Sequence, residues 1–319
     1  MAIHRDRIHV MGPGIDAVVL PFAVDPDDEE AAATVGDWLL LDPGTQRLRR
    51  LLDRRSLFKR RAAGSARRVQ LIAANVDTLF VVSSCNQDFS PARLERYLAL
   101  ASEAEVTPVV VLTKADLVDD PAAFVREASR LMPGLLVEVL DGRDPTSMAR
   151  LAPWCGQGQT VALVGSSGVG KSTLINTLTG ADVAATQGIR ESDDTGQHTT
   201  TGRSLHRLPA GGWLVDTPGM RELQLTDVKA GIEDVFADIV DLARGCRFGD
   251  CRHESEPGCA VRVAIESGAL EEARYRRWRK LASEEARNSE SLHERHARNR
   301  AFGKMVRRIM KDKERGRGG

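Results

Sequence analysis

The chain has 319 residues, enough for two or three compact units, and its 45 Lys+Arg balance 45 Asp+Glu to a formal net charge of zero. That balance hides a segregation: residues 47–68 carry ten basic groups and one acid, Asp53, and residues 295–319 carry ten basic groups and two acids, Asp312 and Glu314. The remainder holds 25 basic and 42 acidic residues, an acidic body with two basic arms. Such asymmetry points to nucleic acid or a membrane surface, with solvated surface charge as the plain alternative. No uninterrupted apolar run approaches the ~20 residues a membrane span needs, so no membrane partner is expected. The opening MAIHRDRIHVMG has no apolar core of the secretory type, so no signal is expected. Five cysteines, an odd count, argue against a disulfide framework and for a cytoplasmic protein.

Taken in chain order, residues 1–70 alternate short apolar stretches (RIHV, AVVLPF, DWLLLD) with turn residues and the acidic DPDDEE. That pattern predicts a small β-rich unit, read here as a barrel. From about residue 71 the rhythm changes. Thr78–Ser84 and Thr107–Thr113 are near-continuous β-branched runs, expected of strands buried on both faces. Between them Ser90-Pro91 can start a helix carrying Leu94, Tyr97, Leu98 and Ala101 on one face. A second helical stretch, PAAFVREASRLM, leads to a run at Leu135–Leu140. Thr160–Val164 then feeds a glycine-rich turn and a helix beginning near Lys171, and Trp213–Asp216 is a further short strand. Strands alternating with helices predict a parallel sheet covered on both sides, spanning residues 71–232. Residues 233–300 read as helical and cysteine-bearing, and 301–319 as a basic tail.

Gly165-Ser166-Ser167-Gly168-Val169-Gly170-Lys171-Ser172 fits G-x-x-x-x-G-K-[ST] between a predicted strand and helix, the context that motif requires. Glycines let backbone N–H groups converge on phosphates, Lys171 would reach the β- and γ-phosphates, and Ser172 would ligate Mg²⁺. Asp216-Thr217-Pro218-Gly219 follows at the end of a strand; Asp216 would hold Mg²⁺ through water, and the Gly219 amide would meet the γ-phosphate. Thr113-Lys114-Ala115-Asp116, directly after a buried strand, resembles the N-K-x-D element of GTPases. A carboxylate at Asp116 can accept from guanine N1–H and the exocyclic amine, whereas adenine would leave it unpaired. The Lys114 stem would pack on the base, and Thr113 replaces the usual Asn. The order of these elements is that of circularly permuted GTPases, with base reader first, phosphate loop second and D-x-x-G last. Residues 182–204 lack apolar periodicity and read as a mobile loop; its Gly196-Gln197-His198-Thr199-Thr200-Thr201 offers hydroxyls for Mg²⁺ and an imidazole. Met220 stands where a water-orienting Gln often lies, leaving His198 as the candidate, against the plain reading of an exposed loop histidine.

Cys246, Cys251, His253 and Cys259 fall within 14 residues. Three thiolates and an imidazole suit tetrahedral Zn²⁺, and four protein ligands make a closed, structural site; redox thiols are the alternative. Cys85 and Cys155 lack partners and read as small buried hydrophobes.

Together these motifs resemble the family of ribosome small-subunit-dependent GTPase A (RsgA). The resemblance rests on Gly36-Asp37-Trp38, Asn75-Val76-Asp77, GSSGVGKST (which adds Thr173 to the nucleotide contacts), GQHTTT, DTPGMRE, CRFGDCRHESEPGCAV and Arg274-Tyr275. It implies an N-terminal OB barrel, a central permuted G domain and a C-terminal zinc domain, all docking on the small ribosomal subunit and its rRNA. GTP would promote binding and subunit-stimulated hydrolysis to GDP would release the factor, with His198 as catalytic residue and Thr200 as Mg²⁺ ligand; a monomer is expected. Val139-Leu140-Asp141-Gly142 stands where the family places a Ser-Ala pair behind the base, and the first strand of the barrel is expected to be short. An RNA-binding module using nucleotide only as a structural ligand is the alternative of a different class.

Overall fold

The computed structural model describes residues 2–289 apart from 4–6, 13, 22–27, 29, 62–68, 142–143, 182, 184–202, 218–219, 221–224 and 226. In chain order the strands are β1 (Ala2–Ile3), β2 (Ile8–Gly12), β3 (Ile15–Val19), β4 (Leu39–Leu41), β5 (Leu48–Leu51), β6 (Leu57–Arg61) and β7 (Val69–Ala74). There follow β8 (Thr78–Ser84), α1 (Pro91–Glu103), β9 (Thr107–Thr113), α2 (Pro121–Ser129), β10 (Leu136–Val139), α3 (Pro145–Met148), β11 (Thr160–Gly165) and α4 (Lys171–Thr179). The last are β12 (Arg203–Arg207), β13 (Trp213–Asp216), α5 (Lys229–Val235), α6 (Ala237–Arg244), α7 (Ala260–Glu266) and α8 (Glu272–Ser289).

The central sheet runs β10-β9-β8-β11-β13-β12-β1-β2-β3. Its first five strands are parallel, and from β12 onward pairing is antiparallel. The β-branched runs are buried on both faces because each face meets its own apolar cluster. Leu79, Val81, Val110, Leu112, Ala162, Val164 and Val215 pack with Leu94, Leu98, Ile232 and Phe236 on one side. Phe80, Val82, Val109, Val111, Val161, Leu163 and Leu214 pack with Leu151, Leu174 and Ile175 on the other. This alternation is the period-2 geometry of a strand with no solvated face. Pro91 takes the first position of α1, where a missing N–H costs nothing. Ser90 contributes its carbonyl there, accepting from the Arg93 and Leu94 amides (both 3.0 Å), while its side chain makes no capping bond.

The barrel expected over residues 1–70 is not confirmed by the pairings of the described strands. β1–β3 extend the central sheet, with Ala2 opposite Ser204 and Ile3 opposite Arg203, while β4–β5 and β6–β7 are separate two-stranded ribbons. The physical reason is the open edge of β12, whose unpaired backbone groups are satisfied by β1. These ribbons are anchored to the start of β8. Asn75 adopts a left-handed φ of 54°. Its Oδ1 accepts from Arg55 N (2.9 Å) and its Nδ2 donates to Gly36 O (3.0 Å). Gly36 lies so close to β7 that a Cβ would stand 2.0 Å from Ala74 O. Beside it, buried Asp37 accepts two bonds from Arg54 (both 2.8 Å).

The C-terminal helices pack against α1. Glu95, on α1 with none of its surface exposed, accepts from Arg277 Nε (2.8 and 3.0 Å) and Arg274 Nη1 (3.3 Å), both from α8. Arg274 also donates to Asp238 (2.7 and 2.8 Å) and Val235 O (2.9 Å), and its guanidinium lies 4.8 Å from the Phe236 ring centre. One residue on, Arg96 makes a two-bond pair with Glu284 of α8 (2.7 and 2.6 Å). No helix among the described residues is long and apolar enough to cross a membrane.

Gly231 of α5 approaches α1 so closely that a Cβ would lie 2.0 Å from Ala99 O, a backbone atom that cannot step aside cheaply. Gly231→Ala should therefore cost roughly 1–3 kcal/mol by overpacking. Thermal unfolding should show a drop of several degrees, and an unchanged midpoint would contradict this packing.

Candidate functional site: a phosphate loop and a Cys₃His cluster

β11 ends at Gly165, whose φ of 148° and hypothetical Cβ 2.3 Å from Val82 O admit no other residue without rearrangement. Gly168 (φ 81°) and Gly170 (φ 95°) continue the left-handed turn, and α4 starts at Lys171. The turn places Ser167 at the surface and Val169 in the core, while Ser172 and Thr173 fall half-buried in the first turn of α4. Lys171 is buried and donates Nζ to Gly165 O (2.8 Å) and to Ser166 O. Its ammonium is thus held over the mouth of the loop rather than swinging in solvent.

The Thr113–Asp116 segment, the candidate base reader, lies against this loop although it precedes it by some fifty residues in the chain. Thr113 closes β9; its hydroxyl donates to Val169 O (2.7 Å), with Ser83 O at 3.2 Å. Standing where an Asn is usual, Thr113 braces the 165–172 turn against β8. Lys114 has a left-handed φ of 57°, and Asp116 is exposed on the short 3-10 turn Ala115–Leu117. Asp216 ends β13, which is parallel to β11, so it sits on the same end of the sheet as the loop. Met220 is buried and its neighbour Thr217 keeps a hydroxyl with no partner among the described residues. At the degenerate last element, Leu140 is buried and Asp141 N donates to Ser147 Oγ (3.0 Å). His198, Thr200 and Gly219 lie outside the described residues.

Two features of the site escape sequence reading. Arg93, on the first turn of α1, donates Nη1 to Ser166 Oγ (2.7 Å) and Nη2 to Asp88 O (2.8 Å). The second is the Glu95–Arg274–Arg277 cluster behind it. Neither has a spacing signature, since the partners are 73 or more residues apart.

The metal-ligating candidates come together. Donor atoms of Cys246, Cys251, His253 and Cys259 all lie within 4.8 Å of one another. Cys246 Sγ is 3.9 Å from Cys259 Sγ, and His253 Nδ1 is 3.5 and 3.4 Å from those sulfurs. A tetrahedral ion with Zn–S of about 2.3 Å and Zn–N of about 2.0 Å separates its ligands by about 3.5–3.8 Å, so the cluster fits zinc. Burial pushes the His253 imidazole below its ordinary range, favouring the neutral, ligating form. Tyr275 donates to His253 O (2.8 Å), and the Trp278 ring lies 5.8 Å from the imidazole. Glu256 folds the loop between the ligands by accepting from the amides of Arg252, Glu254 and Ser255 (2.9, 2.9 and 3.0 Å). Those amides, with Glu256's own, hold its carboxyl down to about 2.

A family model described as RsgA GTPase matches residues 51–226, across both the base reader and the phosphate loop. The chain belongs to the RsgA GTPase family. It is accordingly a GTPase. A protein of Vibrio parahaemolyticus named small ribosomal subunit biogenesis GTPase RsgA 2 is 55% identical over 280 residues, spanning 88% of this chain and 78% of its own. An RsgA of Mesorhizobium japonicum, with the same biogenesis name, is 50% identical over 292 residues, 90% of this chain and 83% of its own. Among solved structures, YjeQ from Thermotoga maritima is similar at a TM-score of 0.62 and 25% identity, covering 86% of this chain and 92% of that one. YloQ, titled a circularly permuted GTPase, is similar in fold at a TM-score of 0.58 and 23% identity over 90% and 92%. The RsgA motif order read from the sequence therefore has its counterpart in a permuted fold.

Thr113→Val keeps the shape of the residue and removes the hydroxyl that braces Val169. It should weaken GDP binding several-fold, in line with about 1 kcal/mol for one buried hydrogen bond lost, while Thr113→Ser should preserve it. Fluorescent-nucleotide titration decides; identical affinities for the Val and Ser variants would remove Thr113 from the site.

Proposed function

We propose that this GTPase acts in the cytoplasm as a late assembly factor of the small ribosomal subunit, as a monomer. It binds the subunit's rRNA in the GTP state and leaves when the subunit stimulates hydrolysis to GDP. The observation that carries the reading is the Thr113–Val169 contact, which brings the guanine-type element onto the phosphate loop. The names of the relatives supply the ribosomal partner, and the basic stretch beginning at residue 47 supplies cations for phosphate contacts. The organisation we infer is an N-terminal β unit to about residue 70, a permuted G domain to about 232, a zinc-binding helical unit to about 300 and a basic tail.

Within the G domain, Asp116 accepts from the guanine edge and Lys114 packs on the base. The amides of 165–170 and Gly219 converge on the phosphates, with Lys171 neutralising their charge and Thr173 beside them. Ser172, Thr200 and Asp216 hold Mg²⁺, which offsets charge developing on the phosphates. His198 orients the attacking water, a role Met220 cannot fill. Cys246, Cys251, His253 and Cys259 hold a structural zinc.

Single-turnover hydrolysis with and without purified small subunits tests the ribosomal role. Subunits should accelerate GTP cleavage, and co-sedimentation should be stronger with a non-hydrolysable GTP analogue than with GDP. Nucleotide-dependent binding without any acceleration would instead favour a binding module with nucleotide as structural ligand. His198→Ala should slow stimulated hydrolysis by roughly 10²-fold or more at unchanged GTP affinity, the usual scale for a general acid–base or positioning group. A collapse of affinity with normal chemistry would reverse that assignment. Metal analysis by mass spectrometry should find one zinc per wild-type chain and none in Cys251→Ser; equal metal content would refute the ligand set.

A further inference from the structure

Arg93 lies outside every motif of the nucleotide site, yet it touches the phosphate loop. Its guanidinium spans two fixed acceptors, Ser166 Oγ (2.7 Å) on the loop and Asp88 O (2.8 Å) on the segment entering α1. Ser166 is the residue whose carbonyl, with that of Gly165, receives Lys171 Nζ. Two cations therefore grip the same stretch of loop from opposite chemistry, one through backbone carbonyls and one through the hydroxyl. A planar fork that reaches two acceptors at once fixes distance and direction, which a lysine ammonium cannot do.

The helix that carries Arg93 is itself held from outside. Two and three residues further along α1, Glu95 and Arg96 engage Arg274, Arg277 and Glu284 of α8. At its far end, Ser102 bonds Asp234 and Glu103 accepts from Gly231 N (2.9 Å), both on α5. The position of Arg93 is consequently set by the C-terminal helices.

We propose that Arg93 is a positioning residue for the phosphate loop, acting through the Ser166 hydroxyl, and that α8 supports it by bracing α1. The inference rests on residues 165–172 being the phosphate loop. Preorganised loop amides bind phosphate without first being ordered, so loss of the brace appears in affinity and in KM rather than in the chemical step.

The full chain is titrated with fluescent GDP and a fluorescent non-hydrolysable GTP analogue, and turnover is measured in parallel. Wild-type binding is read first, because its absence would fail the phosphate-loop reading itself. Arg93→Ala should raise both dissociation constants about three- to tenfold, the scale of one net hydrogen bond, with kcat unchanged and KM raised. Ser166→Ala should match it, and the double variant should be no worse than either single one, since both remove the same contact. Arg93→Lys should recover part of the loss. Glu284→Gln should raise the constants about twofold in the wild-type background and not at all beside Arg93→Ala. Thermal unfolding monitors the fold, and if Arg93→Ala is unstable, Arg93→Lys and Ser166→Ala carry the comparison. Wild-type affinity in Arg93→Ala or Ser166→Ala would overturn the proposal, as would full additivity of the two. An equal Glu284→Gln effect with and without Arg93 would overturn the support by α8.

Discussion

A carboxylate with no exposed surface, Glu95, organises the contact between the sheet domain and the C-terminal helices. Burial pushes its carboxyl above the ordinary range, and Arg277 and then Arg274 pull it back toward the ionised form. An isolated buried charge would cost several kcal/mol, so the arrangement holds only while both guanidiniums are delivered by α8. Arg274 can serve because its remaining donors are engaged by Asp238 and Val235 O and its face by Phe236. The zinc-type cluster depends on the same helix, since Tyr275 and Trp278 of α8 back His253. One helix thus supplies the partners of the buried acid from one set of residues and the wall of the Cys₃His site from another.

The sheet core was legible because its signals are local. Runs such as TLFVVSS and TPVVVLT cannot be half-solvated, and both became fully paired central strands. The phosphate loop and the cysteine cluster were legible because their chemistry demands fixed residue types at short spacing. Trp213–Asp216 and the helix opening at Pro91 were legible, like the sheet core, from local pattern. Contacts between distant segments carried no such signature. The barrel expectation is not confirmed, because apolar alternation in β1–β3 says that strands exist without saying which edge they join. Thr113 was singled out as the residue in place of Asn, but the sequence cannot show that its hydroxyl meets Val169 O. Nothing in the sequence singles out Arg93, Glu95 or Arg96, because their partners Ser166, Arg274 and Glu284 lie 73 or more residues away.

Permutation changes which parts of the G domain are neighbours along the chain. The base reader and α1 come before the phosphate loop, and the strand ending in Asp216 leads on to α5 and the C-terminal helices. Helix α1 is therefore in contact with the loop at one end and with α5 and α8 along its length. The arrangement places the Cys₃His cluster one helix away from the glycine-rich turn at 165–170.

The pairing of β1 with β12 joins residues about 200 positions apart in the chain. During translation β1, β2 and β3 leave the ribosome long before Arg203–Arg207 exists, so the first hairpin waits with an open edge. The parallel strands β8, β9 and β10 can meet earlier, but β11 must arrive to extend them, and β13 must arrive before β12 has a place in the sheet. β1, the first strand made, can therefore take its place in the sheet only once β12 and β13 exist. Long-range pairing of this kind is slow and exposes unpaired backbone meanwhile.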